Sequence, residues 1–178
     1  MKKYFACLFI ALFTLIASKR SFGQVWQPTV IAPSDSIQIT FVELNYGKVE
    51  TNGTKRIPDP NSPTGLHSLS ANYQFVERTD TVPAVLNTNF GVEYSIKSNV
   101  NSVVPIKTVW KFPGKMLNDK NREYSELSRV LPMYTNSRTY SSYKFDEPYE
   151  IMPGVWEIEF YYNNKLIYSK KFTVVLVL

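Results

Sequence analysis

Residues 90–97 read Phe-Gly-Val-Glu-Tyr-Ser-Ile-Lys, and their parity decides the fold. In an extended chain successive side chains alternate between two faces. Phe90, Val92, Tyr94 and Ile96 therefore share one face, while Gly91, Glu93, Ser95 and Lys97 share the other. That is a strand with one buried side. Downstream, Val104, Ile106, Thr108, Trp110 and Phe112 repeat the period with Lys107 and Lys111 opposite, and Trp156, Ile158, Phe160 and Tyr162 repeat it with Glu157 and Glu159 opposite. Upstream, Ile37, Ile39 and Phe41 begin the same pattern, but parity then slips to Val42, Leu44 and Tyr46. Such a slip predicts a bulge, or a strand that leaves one sheet for another. Residues 73–75 and 143–145 are shorter strand candidates.

Turn chemistry separates these runs. Asn52-Gly53 fits a type I′ hairpin turn. Most prolines fall between or at the ends of runs, where their missing N–H is tolerated. Residues 57–67 (IPDPNSPTGLH) read as an exposed loop, and residues 116–130 are the one place where a short helix fits. For the last hairpin, a three-residue loop over residues 163–165 with one left-handed Asn sets Trp156 opposite Phe172, Phe160 opposite Tyr168 and Glu157 opposite Lys171. A two-residue Asn163-Asn164 turn would set Trp156 opposite Lys171 and leave Phe172 on the wrong face. Register follows the buried face, so the first arrangement is expected, with Lys170 tolerated at an edge or a bulge. About seven short strands without helical periodicity predict an all-β fold, a single antiparallel, immunoglobulin-like β-sandwich over residues 36–178.

The start of the chain has a different character. Lys2 and Lys3 precede a 14-residue apolar run from Tyr4 to Ala17, and Ser21-Phe22-Gly23 supplies small residues for cleavage before Gln24. Residues 1–23 are thus read as a signal peptide, with 24–35 as an N-terminal extension. A cut after Ala17 is the alternative, and a membrane anchor is the competing reading of the same run. That run is shorter than the roughly 17–25 residues a spanning helix needs. The expected location is periplasmic or extracellular, with no membrane span in the mature chain.

Cleavage changes the charge and cysteine arithmetic. The full chain of 178 residues has a net charge of +5; removing Lys2, Lys3, Lys19 and Arg20 from its 20 basic residues leaves 16 against 15 acidic ones, a net of +1. No basic stripe remains to follow a phosphate backbone, which argues against a nucleic-acid partner. Cys7, the single cysteine, leaves with the same segment. The mature chain then has no disulfide and no thiolate chemistry, and it relies on an aromatic core.

Three stretches carry a family resemblance. Residues 41–48 (FVELNYGK), 81–96 (TVPAVLNTNFGVEYSI) and 143–174, with Pro153-Gly154, Trp156, Leu166 and Phe172 in order, resemble the exported bacterial proteins of the domain-of-unknown-function 3859 family. The likeness spans roughly residues 37–175. It implies a small Ig-like exported domain and brings no activity, cofactor or catalytic residue with it.

Candidate chemistry is sparse. His67, the only histidine, lies near Ser62, Ser68 and Ser70 without a nucleophile elbow or an orienting carboxylate, and reads as an exposed loop imidazole. Glu157 and Glu159 share a strand face about 6.6 Å apart, near the lower end of inverting-glycosidase spacing. Beside Lys171 they read as a solvated sheet face. Asp119, Asn121 and Glu123 alternate like a calcium loop, but Tyr124 stands where glycine is required and Val130 where a bidentate Glu is required. With one histidine and no mature cysteine, no metal and no cofactor are expected.

Binding candidates are Tyr134, Arg138, Tyr140, Tyr143 and Tyr149, an aromatic cluster able to meet a glycan or protein partner, or simply to pack across strands. Three functions follow. The leading one is a non-enzymatic binding or envelope-structural module. The others are a carbohydrate-binding or glycan-acting protein using surface aromatics, and a subunit that associates through its apolar C-terminal strand, residues 172–178 (FTVVLVL).

Overall fold

A computed structural model describes residues 37–177. The expected signal peptide and N-terminal extension lie outside the described residues. The described residues form eleven strands: β1 Ile39–Asn52, β2 Lys55–Pro58, β3 Leu66–Leu69, β4 Asn72–Glu77, β5 Thr81–Pro83, β6 Asn89–Ser98, β7 Val103–Leu117, β8 Glu123–Tyr134, β9 Arg138–Lys144, β10 Gly154–Tyr162 and β11 Lys165–Val175. One 3₁₀ turn, Pro148–Glu150, follows β9.

Two sheets pack face to face. The first has the order β4-β1-β6-β9 and the second β5-β11-β10-β7-β8, while β2 and β3 pair only with each other as a separate ribbon. Every pairing is antiparallel except β11 with β5. The alternating residues of β6 form the floor of the core, with Phe90, Val92 and Tyr94 fully buried. Around Phe90 stand Trp110, Phe145, Trp156 and Phe172, with ring centroids 5.2–5.9 Å away and mostly edge-to-face. Edge-to-face packing suits the ring quadrupoles, and this aromatic pile fills the space between the sheets. Trp156 also donates its indole N–H to the Met152 carbonyl at 2.8 Å.

The parity slip in β1 is a bulge between Glu43 and Asn45. It keeps both Phe41 and Tyr46 against the core while Leu44 turns outward. The last hairpin has the expected register of Trp156 with Phe172, Phe160 with Tyr168 and Glu157 with Lys171. The turn differs from the expectation: both Asn163 and Asn164 are left-handed, Tyr162 pairs Lys165, and a bulge follows at Phe160/Tyr161. A two-residue turn plus a bulge thus restores the register that the buried face demands.

Three further expectations are corrected. Asn52-Gly53 makes no hairpin with the strand that follows it, because β1 pairs β4 there, and residues 55–69 double back as their own ribbon. Residues 57–67 are the tip and arms of that ribbon, with Ser62 buried rather than solvated. Residues 116–130 contain no helix; they span the β7–β8 hairpin, in which Leu127 faces Trp110 across the strands.

Candidate functional site

A sandwich has two long seams where the sheet edges meet, and here they are finished differently. Along the β1/β11 seam, Phe41 stacks on Tyr94 and Tyr168 with centroids at 4.9 and 4.2 Å. Tyr168 donates its hydroxyl to Glu43. Lys170 lies over the Tyr46 ring at 3.3 Å, and Arg78 is 4.3 Å from the same ring. This cation–π contact is what makes Lys170 tolerable at that position.

At the opposite seam the edges of β8 and β9 stay apart, and the β2–β3 ribbon crosses over them as a strap. Beneath it lies a cleft of about 1010 Å³, at the upper end of the range of ligand clefts. The strap is tied at several points. Asp59 pairs Arg129 at 2.7 Å and Arg56 pairs Asp146 at 3.3 Å. The Pro63 carbonyl accepts from Asn118 Nδ2 and the Tyr149 hydroxyl, and the Ser70 carbonyl accepts from Tyr140.

The polar groups of the cleft walls are mostly spoken for. Glu150 is buried and receives the Tyr143 hydroxyl at 2.7 Å and the backbone N–H groups of Asp146 and Glu147 at 2.8 and 2.9 Å. Burial raises its pKa, against the lowering effect of those three donors. Burial also raises Asp59, but the hydrogen bond and charge of Arg129 outweigh it and leave the carboxyl below its usual value. His67 is depressed first by burial and then by Arg129, with Asp59 partly opposing. Asn89 is the exception: it is 8% exposed, lines the cleft, and its Oδ1 has no hydrogen-bond partner among the described residues. A buried amide oxygen without a donor is costly unless something supplies one.

The sequence candidates do not assemble into one face. Tyr134 is exposed at the end of β8. Arg138 reaches Glu93 at 2.7 Å. Tyr140 stacks on Tyr73 at 4.1 Å on the outer side of β9, whereas Tyr143 is buried in the core on the inner side. Period two divides the cluster, and Tyr149 follows at the far end of β9 as a tie for the strap. His67 is on strand β3 and half-buried in the cleft wall, not in an exposed loop.

Glu159 is buried rather than solvated, and it accepts from Lys111 at 2.7 Å and Tyr161 at 2.6 Å. Burial raises its pKa, but these two donors outweigh that and lower it, the reverse of what a glycosidase acid requires. Asp119 and Asn121 form the β7–β8 turn, where Asn118 Oδ1 caps the amides of Lys120 and Arg122, and Glu123 pairs Lys115. Among the described residues no cluster of three His, Cys, Asp or Glu side chains could hold a metal ion. The C-terminal run is paired on both sides at Thr173 and Val174, by β10 and β5, which removes those residues as a free edge.

Asp59, Arg129 and Asn89 were missed by sequence reasoning. Arg129 did carry a signal, since it shares the parity of Leu127, Leu131 and Met133. A helical reading of residues 116–130 conceals that parity.

The molecule is thus an Ig-like sandwich with one sealed seam and one strapped cleft. A family model described as a domain of unknown function (DUF3859) matches residues 45–174, and the chain belongs to that family. An immunoglobulin-like protein from Pseudomonas aeruginosa superposes on 80% of this chain and 100% of its own, with a TM-score of 0.60 at 19% identity; that likeness shows the fold alone. A β-glucosidase from Listeria innocua matches with a TM-score of 0.35 at 8% identity, over 80% of this chain and 17% of its own, too distant to bear on activity. No curated protein matches the chain. Among the described residues, no helix is long and apolar enough to cross a membrane.

Proposed function

We propose that this protein is an exported, non-enzymatic binding module whose ligand site is the strapped cleft. The observation that carries the reading is the cleft itself, an opening of about 1010 Å³ held by ion pairs at its rim, with the unpartnered Asn89 Oδ1 in its wall. A general acid or base needs a carboxylate or imidazole free to exchange protons with substrate. Here Asp59, Asp146 and Glu150 are committed to Arg129, to Arg56 and Lys144, and to Tyr143 and two backbone amides. Among the described residues, His67 in the same wall has as its nearby carboxylate only that Arg129-bound Asp59. Export is supported by the leader-like composition of residues 1–23.

Two measurements test this. Cell fractionation with N-terminal sequencing is expected to find the chain outside the cytoplasm, beginning at Gln24; a cytoplasmic chain that keeps Lys2 overturns export. Ligand-detected NMR with defined panels of peptides and oligosaccharides is expected to find a binder that Thr51→Trp, placed in the cleft wall, weakens at least tenfold. A binder indifferent to that change, or none in either panel, overturns the cleft as the site.

A further inference from the structure

We infer that the cleft receives an extended polypeptide from a partner protein, paired as an added strand on the open edge of β9. The inference rests on the cleft being the binding site and says what occupies it.

The backbone geometry makes the case. The Phe145 amide donates to Thr88 and its carbonyl accepts from Asn87, so Phe145 faces toward β6. In an antiparallel strand the direction alternates residue by residue. Tyr143 and Ser141 therefore also hydrogen-bond toward β6, as their register with Phe90 and Val92 requires. Tyr140, Ser142 and Lys144 then direct both N–H and C=O away from β6. Among the described residues no strand pairs with them, because β9 is the last strand of its sheet. All six residues from Thr139 to Lys144 line the cleft. Side chains of one face alone would contribute every second residue, so the cleft wraps the strand edge itself. Its length is roughly 20 Å at ~3.3 Å per residue, enough for a segment of about six residues.

The edges of β8 and β11 carry guards along their length, whereas the basic residues of β9, Arg138 and Lys144, stand only at its two ends. By the same alternation, from the Thr135 amide bonded to Ser102, the even-numbered residues of β8 face outward, and Pro132 among them offers no N–H. Strand β11 carries Lys165, Lys170 and Lys171 along its length, charges that deter strand addition. On β9 the protection is the strap overhead, which limits access without filling the edge. At Gly91 an added side chain would run into the Ser141 carbonyl and Ser142, so glycine is what lets β6 hold β9 this closely.

The walls indicate the chemistry of the incoming segment. Lys55, Arg56, Arg129 and Lys144 in the lining are balanced by Glu50, Asp146 and Glu150 and by Asp59, which pairs Arg129 from the strap, so the cleft selects no strongly charged peptide. Asn89 pairs Lys144 in register, one strand in from the edge. Its free Oδ1 calls for a side chain that donates a hydrogen bond, such as Ser, Thr or Gln, reaching over β9. An uncharged β-forming segment with one such donor fits all three features. Main-chain bonds would supply affinity and the Asn89 contact selectivity.

The test uses a displayed library of twelve-residue peptides panned against residues 24–178, followed by calorimetry on the selected peptides. The proposal expects uncharged, β-prone peptides whose affinity falls at least tenfold on Ser142→Pro. That change deletes an outward N–H and leaves the β6 ladder intact. Peptides N-methylated at alternate residues are expected to lose binding in one phase of the alternation and keep it in the other; this check needs no protein variant and stands even if Ser142→Pro fails to fold. Selected peptides blocked by Thr51→Trp but indifferent to both backbone changes overturn strand pairing and leave the cleft as the site. An oligosaccharide that binds in the cleft while no peptide does overturns the peptide and keeps the site. If nothing binds, both readings fall.

Discussion

The two seams of this sandwich solve one problem in opposite ways. Each must cover the line where two sheets end. At β1/β11 the covering is side chain on side chain: Phe41 between Tyr94 and Tyr168, Glu43 under the Tyr168 hydroxyl, and Lys170 on Tyr46. At β8/β9 it is a piece of chain, the β2–β3 ribbon, held by discrete polar ties. Apolar interlock leaves no room and is broken only by unfolding. A polar strap leaves a cavity and can loosen on its own, since a segment with few buried apolar contacts opens at lower free energy than the core. On the proposed reading, binding belongs at the second seam.

If that contrast is right, its sharpest break comes from Phe41→Ala. Removing the stacked ring is expected to cost about 3 kcal/mol of global stability, read as a lower urea midpoint with an unchanged slope. A loss confined to local opening would contradict the interlock. Next is Glu150→Ala, which strands the Tyr143 hydroxyl and two amides beneath the strap. A cost of about 2 kcal/mol is expected in the same assay, with less for Glu150→Gln. A value near zero would mean that water satisfies those donors.

Asp59→Asn is expected to cost only about 1 kcal/mol globally. Its larger effect should be faster native-state proteolysis within residues 59–65, with hydrogen exchange at the β1/β11 seam unchanged. Uniform acceleration everywhere would erase the difference between the seams.

The smallest effect is one of pH. His67 is held below its usual value, chiefly by burial and then by Arg129, so the folded strap prefers the neutral ring. The unfolded chain binds that proton more readily, and stability falls as pH drops below about 6.5 toward the folded pKa. Asp59, also depressed, keeps its contribution above the ordinary carboxylate value and loses it as pH falls through its lower folded pKa. Cleavage of the strap should therefore rise between pH 7 and 5, and His67→Gln should flatten that rise. A slope that survives the substitution assigns the pH dependence to another group.

The contrast between seams also explains what could be read from the sequence. Strands such as β6 and β10 announce themselves because a buried face imposes parity, and the β10–β11 register follows from Trp156 and Phe172 needing the same side. The bulge at Glu43/Asn45 was visible as a parity slip for the same reason. The strap was not, because its ties join residues far apart in sequence, Asp59 with Arg129 and Pro63 with Tyr149, through single hydrogen bonds that leave no period. Asn52-Gly53 misled because local turn chemistry does not say which strand the chain will pair with after it. The tyrosine cluster misled similarly: proximity along β9 places Tyr140 and Tyr143 on opposite faces of the sheet.

The parallel pairing of β5 with β11 has a consequence in time. Thr81–Pro83 find their partners only at Thr173–Val175, more than ninety residues later. While the chain is being synthesised, the five-stranded sheet cannot be completed until Val175 has emerged, and the loop it must close is among the longest the fold contains. The native state is thereby withheld until β11 has followed β5. A chain built this way stays threadable through a narrow pore until that strand has been made.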